Sequence, residues 1–185
     1  MADPGSDARE VVSKARLEFL CDGIFAIAMT ILVLELKVPD LQDRHSVAEL
    51  ARGLLGHAST FVSYLLSFLM LGMFWTRHNA WYRQIEKMTK GVLAVQLFQL
   101  AVAAFFPFCA ALLGRYPTNP LSMSIYLGCV ATYLWSGAFL WIVARRAGAL
   151  EMPPDYRRNL KAQLVANSAI TLLLLFYLVR AVTGH

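Results

Sequence analysis

Five apolar runs, set apart by short stretches of charge, proline and glycine, organise this chain. They occupy residues 16–37, 53–76, 91–114, about 121–144 and 162–179. Each is roughly 18 to 25 residues long, the length a helix needs to cross about 30 Å of hydrocarbon. The connections are brief. Pro39-Asp-Leu-Gln-Asp-Arg-His45 predicts a short turn followed by a helical lead-in over 46–52, and Gly114-Arg-Tyr-Pro-Thr-Asn-Pro120 predicts a tight turn. Gly148-Ala-Leu-Glu-Met-Pro-Pro-Asp155 is the longest irregular stretch. In the third run, Phe105-Phe-Pro-Phe108 puts a proline mid-span, where the lost backbone bond bends the helix and neighbouring helices tolerate it. The fifth run places Gln163, Asn167 and Thr171 at four-residue spacing, one polar face that must turn toward other helices; ordinary interhelical hydrogen bonding is its expected role. The pattern predicts an all-α integral membrane protein with five apparent transmembrane helices.

The first run carries the most information. The twenty residues between Arg16 and Lys37 make about 30 Å of helix, enough to span. Asp22 and Glu35 nevertheless leave only residues 23–34, about 18 Å, free of charge. Ionisable groups at that depth are costly without a partner or water, so they mark a functional or packing site.

Composition supports the membrane reading. At 58% hydrophobic residues and a mean hydropathy of +0.53, the chain of 185 residues is more apolar than a soluble domain of its size can bury. The net charge of +5 would suit nucleic acid, but the distribution of Lys and Arg argues otherwise. Arg9, Lys14, Arg16, Arg77, Arg83, Lys87, Lys90, Arg145, Arg146, Arg157, Arg158 and Lys161 flank one set of span ends, twelve against the five (Lys37, Arg44, Arg52, Arg115, Arg180) at the other. The positive-inside rule then puts the N-terminus in the cytoplasm of a multi-pass protein, with the C-terminus outside. A cell-membrane location is expected. Residues 1–10 lack an apolar signal core, so the first run is expected to stay as an anchor. The expected division is residues 1–15 as a polar cytoplasmic N-terminus and 16–182 as one transmembrane domain. Cys21, Cys109 and Cys129 lie singly within runs, which suits apolar packing rather than a disulfide or metal.

On a helical wheel of the first run, Leu20, Ile27 and Leu34 fall on one line, with Gly23 and Thr30 to one side and Ile31 to the other. Asp22 points about 140° away from Ile27, and Glu35 about 80° round. Taken alone, the stripe is a packing seam. Asp22 has candidate partners in Arg16, Arg77 and His78, and no second carboxylate lies at similar depth for a proton relay. Glu35 is either a cation-attracting group at a pore mouth or a solvated interfacial residue. Trp75-Thr-Arg-His78, at the end of the second run, reads as an interfacial anchor. No H-E-x-x-H, G-x-S-x-G or P-loop is present, and no residue set supports an enzyme or a bound cofactor.

Arg16-x-x-x-Leu20-Cys21-Asp22, followed by Gly-Ile-Phe-Ala-Ile-Ala-Met-Thr and Val-Leu-Glu-Leu-Lys, resembles the first helix of the transmembrane-protein-175 family of potassium channels. Leu20 and Cys21 stand where the family signature has Phe and Ser. Trp75-x-x-His78 and the Phe-x-Pro of residues 105–107 also resemble family features. The resemblance implies a homotetramer in the lipid bilayer, a central pore lined by the first helix, and passive conduction of potassium ions. It implies an apolar constriction at Ile27 with a further apolar layer at Leu34, potassium preference at Thr30, and a network beneath the pore of Arg16, Asp22, Trp75 and His78. A thiol at Cys21 is a poorer donor than the family's hydroxyl. Family repeats carry six spans and five are found here, so a sixth is absent by nature or by shortening of the chain. Two rivals stay open: a proton-coupled secondary transporter acting through Asp22, and a non-conducting membrane scaffold.

Overall fold

A computed structural model describes residues 13–150 and 156–183, the side chains of 156–160 excepted. Most of the polar segment 1–15 and residues 151–155 of the irregular stretch lie outside the described residues, as do Arg9 and the side chains of Arg157 and Arg158.

The elements are α1 (Lys14–Ile31), a 3₁₀ turn (Leu32–Glu35), α2 (Val47–Gly56), α3 (Ala58–Tyr82), α4 (Lys90–Arg115), α5 (Pro120–Arg146) and α6 (Tyr156–Thr183). Among the described residues, five helices are long and apolar enough to cross a membrane, and they coincide with the five runs. The protein is all-α.

Two boundaries differ from the expected ones. The first run is not one α-helix to Lys37: it tightens at Leu32 and becomes extended at Leu36, whose N–H bonds Val33 O at 3.0 Å. Pro39 disfavours helical geometry at the residue before it, so the helix must unwind upstream. The second run is divided at His57, whose backbone (φ −99°, ψ 12°) closes α2 and opens α3, so the span begins at Ala58 rather than near residue 53. The lead-in expected over 46–52 forms as α2, with Ser46 Oγ accepting from Glu49 N–H. The Glu49 carboxylate in turn accepts the backbone N–H groups of Gln42 (2.8 Å) and Asp43 (3.1 Å), fixing the incoming loop.

Helix α4 forms the centre, touching α1, α3 and α5, while among the described residues α6 packs on α5 alone. Small residues let α3 and α4 approach closely: a Cβ at Gly114 would lie 3.2 Å from the Thr60 backbone, and Ser63 Oγ donates to Ala110 O at 2.7 Å. α4 runs through Pro107 without a break in its assignment. Cys21, Cys109 and Cys129 are free and buried. The polar face of α6 meets α5, as expected. Asn167 Nδ2 donates to Leu134 O at 3.1 Å, and Trp135 Nε1 donates to Thr171 Oγ1 at 2.9 Å.

At the end where α1 starts, the loops lock together. Lys14 Nζ donates to Ile85 O at 2.8 Å, Ile85 pairs antiparallel with Leu150, and Glu86 N–H bonds Ala149 O at 2.9 Å. Gly148 supplies the left-handed turn (φ +60°) that brings Ala149 back.

The Glu49 contacts lead to a pH prediction. Bonding to Gln42 N–H first, then to Asp43 N–H, holds the Glu49 carboxyl below its ordinary value. A depressed folded-state pKa gives order that is complete above the ordinary carboxylate range and lost as pH falls through the lowered value. Amide exchange at Gln42 and Asp43 should therefore speed up on acidification below that range, and Glu49→Gln should show faster exchange already at neutral pH. Equal exchange in both proteins would contradict the contact.

Candidate functional site

Two halves of α1 face different surroundings. Leu17, Cys21, Phe25, Ala28 and Leu32 are buried, while Leu20, Gly23, Ile27, Thr30, Ile31 and Leu34 are exposed in the single chain. Ile27 is 59% exposed and Leu34 72%, against 1% for Phe25. The two sets fall on opposite sides of the wheel, as 3.6-residue geometry requires. The 3₁₀ turn adds about 20° per residue, so Leu34 moves some 60° round from its α-helical position yet stays on the open side.

The buried half is held by aromatic rings. Phe25 meets His78 (centroids 5.9 Å apart) and Tyr133 (6.3 Å), Tyr133 stacks on Phe74 at 4.0 Å, and Phe74 meets Phe106 edge-on at 5.6 Å. His78 stacks on Tyr82 at 6.0 Å. This column ties α1, α3, α4 and α5 together through contacts that no short motif displays. Phe74, His78 and Tyr82 recur every fourth residue on α3, with Leu71, Ser67 and Ser63 continuing the same buried face. That periodicity was the available signal for Phe74 and Tyr82, neither of which was expected from the motif reading.

Of the four residues expected to form one network, the structure joins two directly. Trp75 Nε1 donates to Asp22 Oδ1 at 2.8 Å. His78 does not hydrogen-bond Asp22; its Nε2 lies 3.1 Å from Cys21 Sγ, so the thiol occupies the role that a hydroxyl would fill better. Arg16 is exposed and pairs with no carboxylate among the described residues. The six-residue interval explains this, since it turns Arg16 and Asp22 about 120° apart on the helix. The candidate pairs of Asp22 with Arg16, Arg77 and His78 are thus replaced by the indole of Trp75. The Tyr82 hydroxyl donates to the Lys14 carbonyl and fastens the first turn of α1. Glu35 is exposed at the far end of the 3₁₀ turn.

Thr30 Oγ1 lies 3.0 Å from Ala26 O and 2.9 Å from Ile27 O, so its proton is committed to its own helix. This is the bland role a threonine often takes in a membrane helix. Asp22 is exposed too, with one indole donor for a carboxylate that can accept about four hydrogen bonds. Hydrocarbon against this half would leave a charge without solvation, so the half must meet protein or water. Among the described residues, no group of three His, Cys, Asp or Glu is placed to hold a metal ion.

A family profile described as endosomal/lysosomal potassium channel TMEM175 matches residues 16–107. A Chamaesiphon minutus protein named as a potassium channel is 31% identical over 74% of this chain, and the match covers 64% of its own length. The human endosomal/lysosomal proton channel TMEM175 is 27% identical over 70% of this chain, a region that covers 27% of that protein. The chain thus spans less than two thirds of these relatives. Among solved structures, the crystal structure of a lysosomal potassium-selective channel TMEM175 homolog from Chamaesiphon minutus superposes with a TM-score of 0.68. It shares 25% identity, over 91% of this chain and 97% of that one.

The Trp75–Asp22 bond should be structural. Trp75→Phe keeps an aromatic ring and removes the indole N–H, which should lower stability by about 1.5–3 kcal/mol, the range for a hydrogen bond to a charged group. Asp22→Asn should weaken assembly more than ion preference, because Asp22 points away from Ile27. Thermal melts with size-exclusion chromatography check both. A stable oligomer of Asp22→Asn with altered ion preference would contradict the assignment.

Proposed function

The chain belongs to the TMEM175 family, and from that premise we propose that it is a potassium-permeable channel formed by four copies around a central pore. The exposed half of α1 carries this reading. It is anchored behind by the aromatic column, it presents Ile27 and Thr30 outward, and it holds a carboxylate that lipid cannot solvate. Four such faces meeting on an axis would remove the apolar stripe from lipid and give Asp22 protein or water.

In that assembly Ile27 forms an apolar neck that closes by dewetting when narrow. Thr30, one turn outward, offers oxygens already oriented by their backbone bonds. Potassium gives up hydration more readily than sodium, so such oxygens favour it. Leu34 adds a second apolar layer and Glu35 concentrates cations at the outer mouth. Arg16, Asp22, Trp75 and His78 support the pore from beneath, with Arg16 free in the single chain to reach a neighbouring copy. Conduction is passive, and the protein sits in the cell membrane with its N-terminus in the cytoplasm.

Proteoliposomes with a potassium gradient test the neck. Ile27→Asn should wet it and raise potassium leak about tenfold or more, since removing roughly 1.4 kcal/mol of barrier suffices. Unchanged flux from an intact oligomer would take Ile27 out of the pore.

Thr30 separates selectivity from gating. Thr30→Val keeps the shape and removes the oxygen, so the potassium-to-sodium permeability ratio should fall while the oligomer survives. Thr30→Ser should retain most of it. Equal reversal potentials for wild type and Thr30→Val under mixed-cation gradients would leave Thr30 with only its backbone bonds.

A further inference from the structure

Away from α1, two clefts open along α5. One, of about 730 Å³, is lined by Phe98 of α4, Gly128, Trp135 and Phe139 of α5, and Leu174 of α6. The other, of about 740 Å³, is lined by Trp135, Phe139, Ile142, Arg145, Arg146 and Leu164. Because Trp135 and Phe139 line both, the clefts are halves of one trough along α5, with α4 and α6 as its flanks. The trough lies off the proposed pore, since among the described residues α1 packs on α3 and α4 whereas α6 packs on α5.

Its chemistry is graded from end to end. Arg145 and Arg146, both exposed, stand on the last turn of α5, and the walls beyond them are almost wholly apolar. Lys161, three residues before Leu164, lies on the same face of α6 and is also exposed. Among the described residues no carboxylate pairs with either arginine. The cations therefore gather where a span leaves the membrane. From Arg145 to Thr132 α5 rises about 20 Å, a little more than the roughly 15 Å of one hydrocarbon leaflet. Trp135 is fixed toward the mid-membrane end by its bond to Thr171, which leaves its ring face available as a wall.

We propose that this trough binds an anionic phospholipid of the surrounding bilayer, its phosphate against Arg145 and Arg146 and its acyl chains along Ile142, Phe139 and Trp135. A guanidinium presents paired N–H donors that match phosphate oxygens, and two adjacent ones select a charged headgroup over a zwitterionic one. The apolar walls select a lipid over a free anion. A neighbouring copy covering the trough is the rival occupant.

Native mass spectrometry of the purified full chain, titrated with phosphatidylglycerol or phosphatidylcholine of matched acyl chains, tests this. The wild type should retain phosphatidylglycerol with about fivefold or greater preference, as expected for one or two added charge contacts. Arg145→Gln with Arg146→Gln should abolish the preference, while Arg44→Gln with Arg115→Gln at the opposite end should keep it. Ile142→Trp, which fills the trough at an exposed position, should lose adducts of both lipids with its melting temperature retained. Inorganic phosphate should not displace the lipid. Equal retention of the two lipids by the wild type, a preference that survives loss of both arginines, or displacement by phosphate would overturn the proposal. Absence of lipid adducts because the trough is covered by another copy would overturn it as well.

Discussion

The stack of Phe74 on Tyr133, 4.0 Å between centroids, is the contact on which the rest of the molecule depends. It joins the middle of α3 to the middle of α5, and Phe25 inserts from α1 with its edge against Tyr133. Where one half of a helix is pinned by rings, its rotation about its own axis is fixed, and so is the identity of every residue on the other half. Burying Phe25 and Cys21 thereby dictates that Ile27, Thr30 and Leu20 stand open. Orientation of α1 is a packing result before it is a functional one.

Membrane electrostatics gives that orientation a consequence. In water an exposed carboxylate costs nothing, but about two turns inside a span it needs donors or solvent. Asp22 meets one indole N–H within its own chain. The open half of α1 is therefore incomplete alone, and the proposed assembly around it would satisfy the charge and remove the apolar stripe from lipid together. Membership of the TMEM175 family and the likeness to a solved channel of that family fit the same arrangement.

The spans, the apolar stripe with its opposed carboxylate, and the polar face of α6 were legible in the sequence, because each is a local periodic pattern. Gln163, Asn167 and Thr171 needed only four-residue spacing, and Asn167 and Thr171 do bond across to α5. What could not be read depended on partners far apart in the chain. The indole that meets Asp22 is 53 residues away, and the thiol that meets His78 is 57. Charge alone favoured Arg or His beside Asp22, yet geometry favoured Trp75. The 3₁₀ turn at Leu32 was hidden for a different reason: an apolar run reads the same whether it is wound at 3.6 residues per turn or at 3.0. The trough along α5 joins three helices, and only its arginines were visible in advance.

Cysteine-scanning of α1 tests the central claim, that its open half lines an aqueous path, most directly. Single cysteines would replace Ile27, Thr30, Leu34 and, as a buried position, Ala28, in protein whose own buried cysteines are changed to alanine. Current across a planar bilayer under a potassium gradient would be followed while a charged, water-soluble thiol reagent is added. The account predicts rapid block at positions 27, 30 and 34, and little at position 28, which is buried and lies about 100° round the helix from Ile27. Block at Ala28 equal to that at Ile27, or no modification at any of the four, would contradict it.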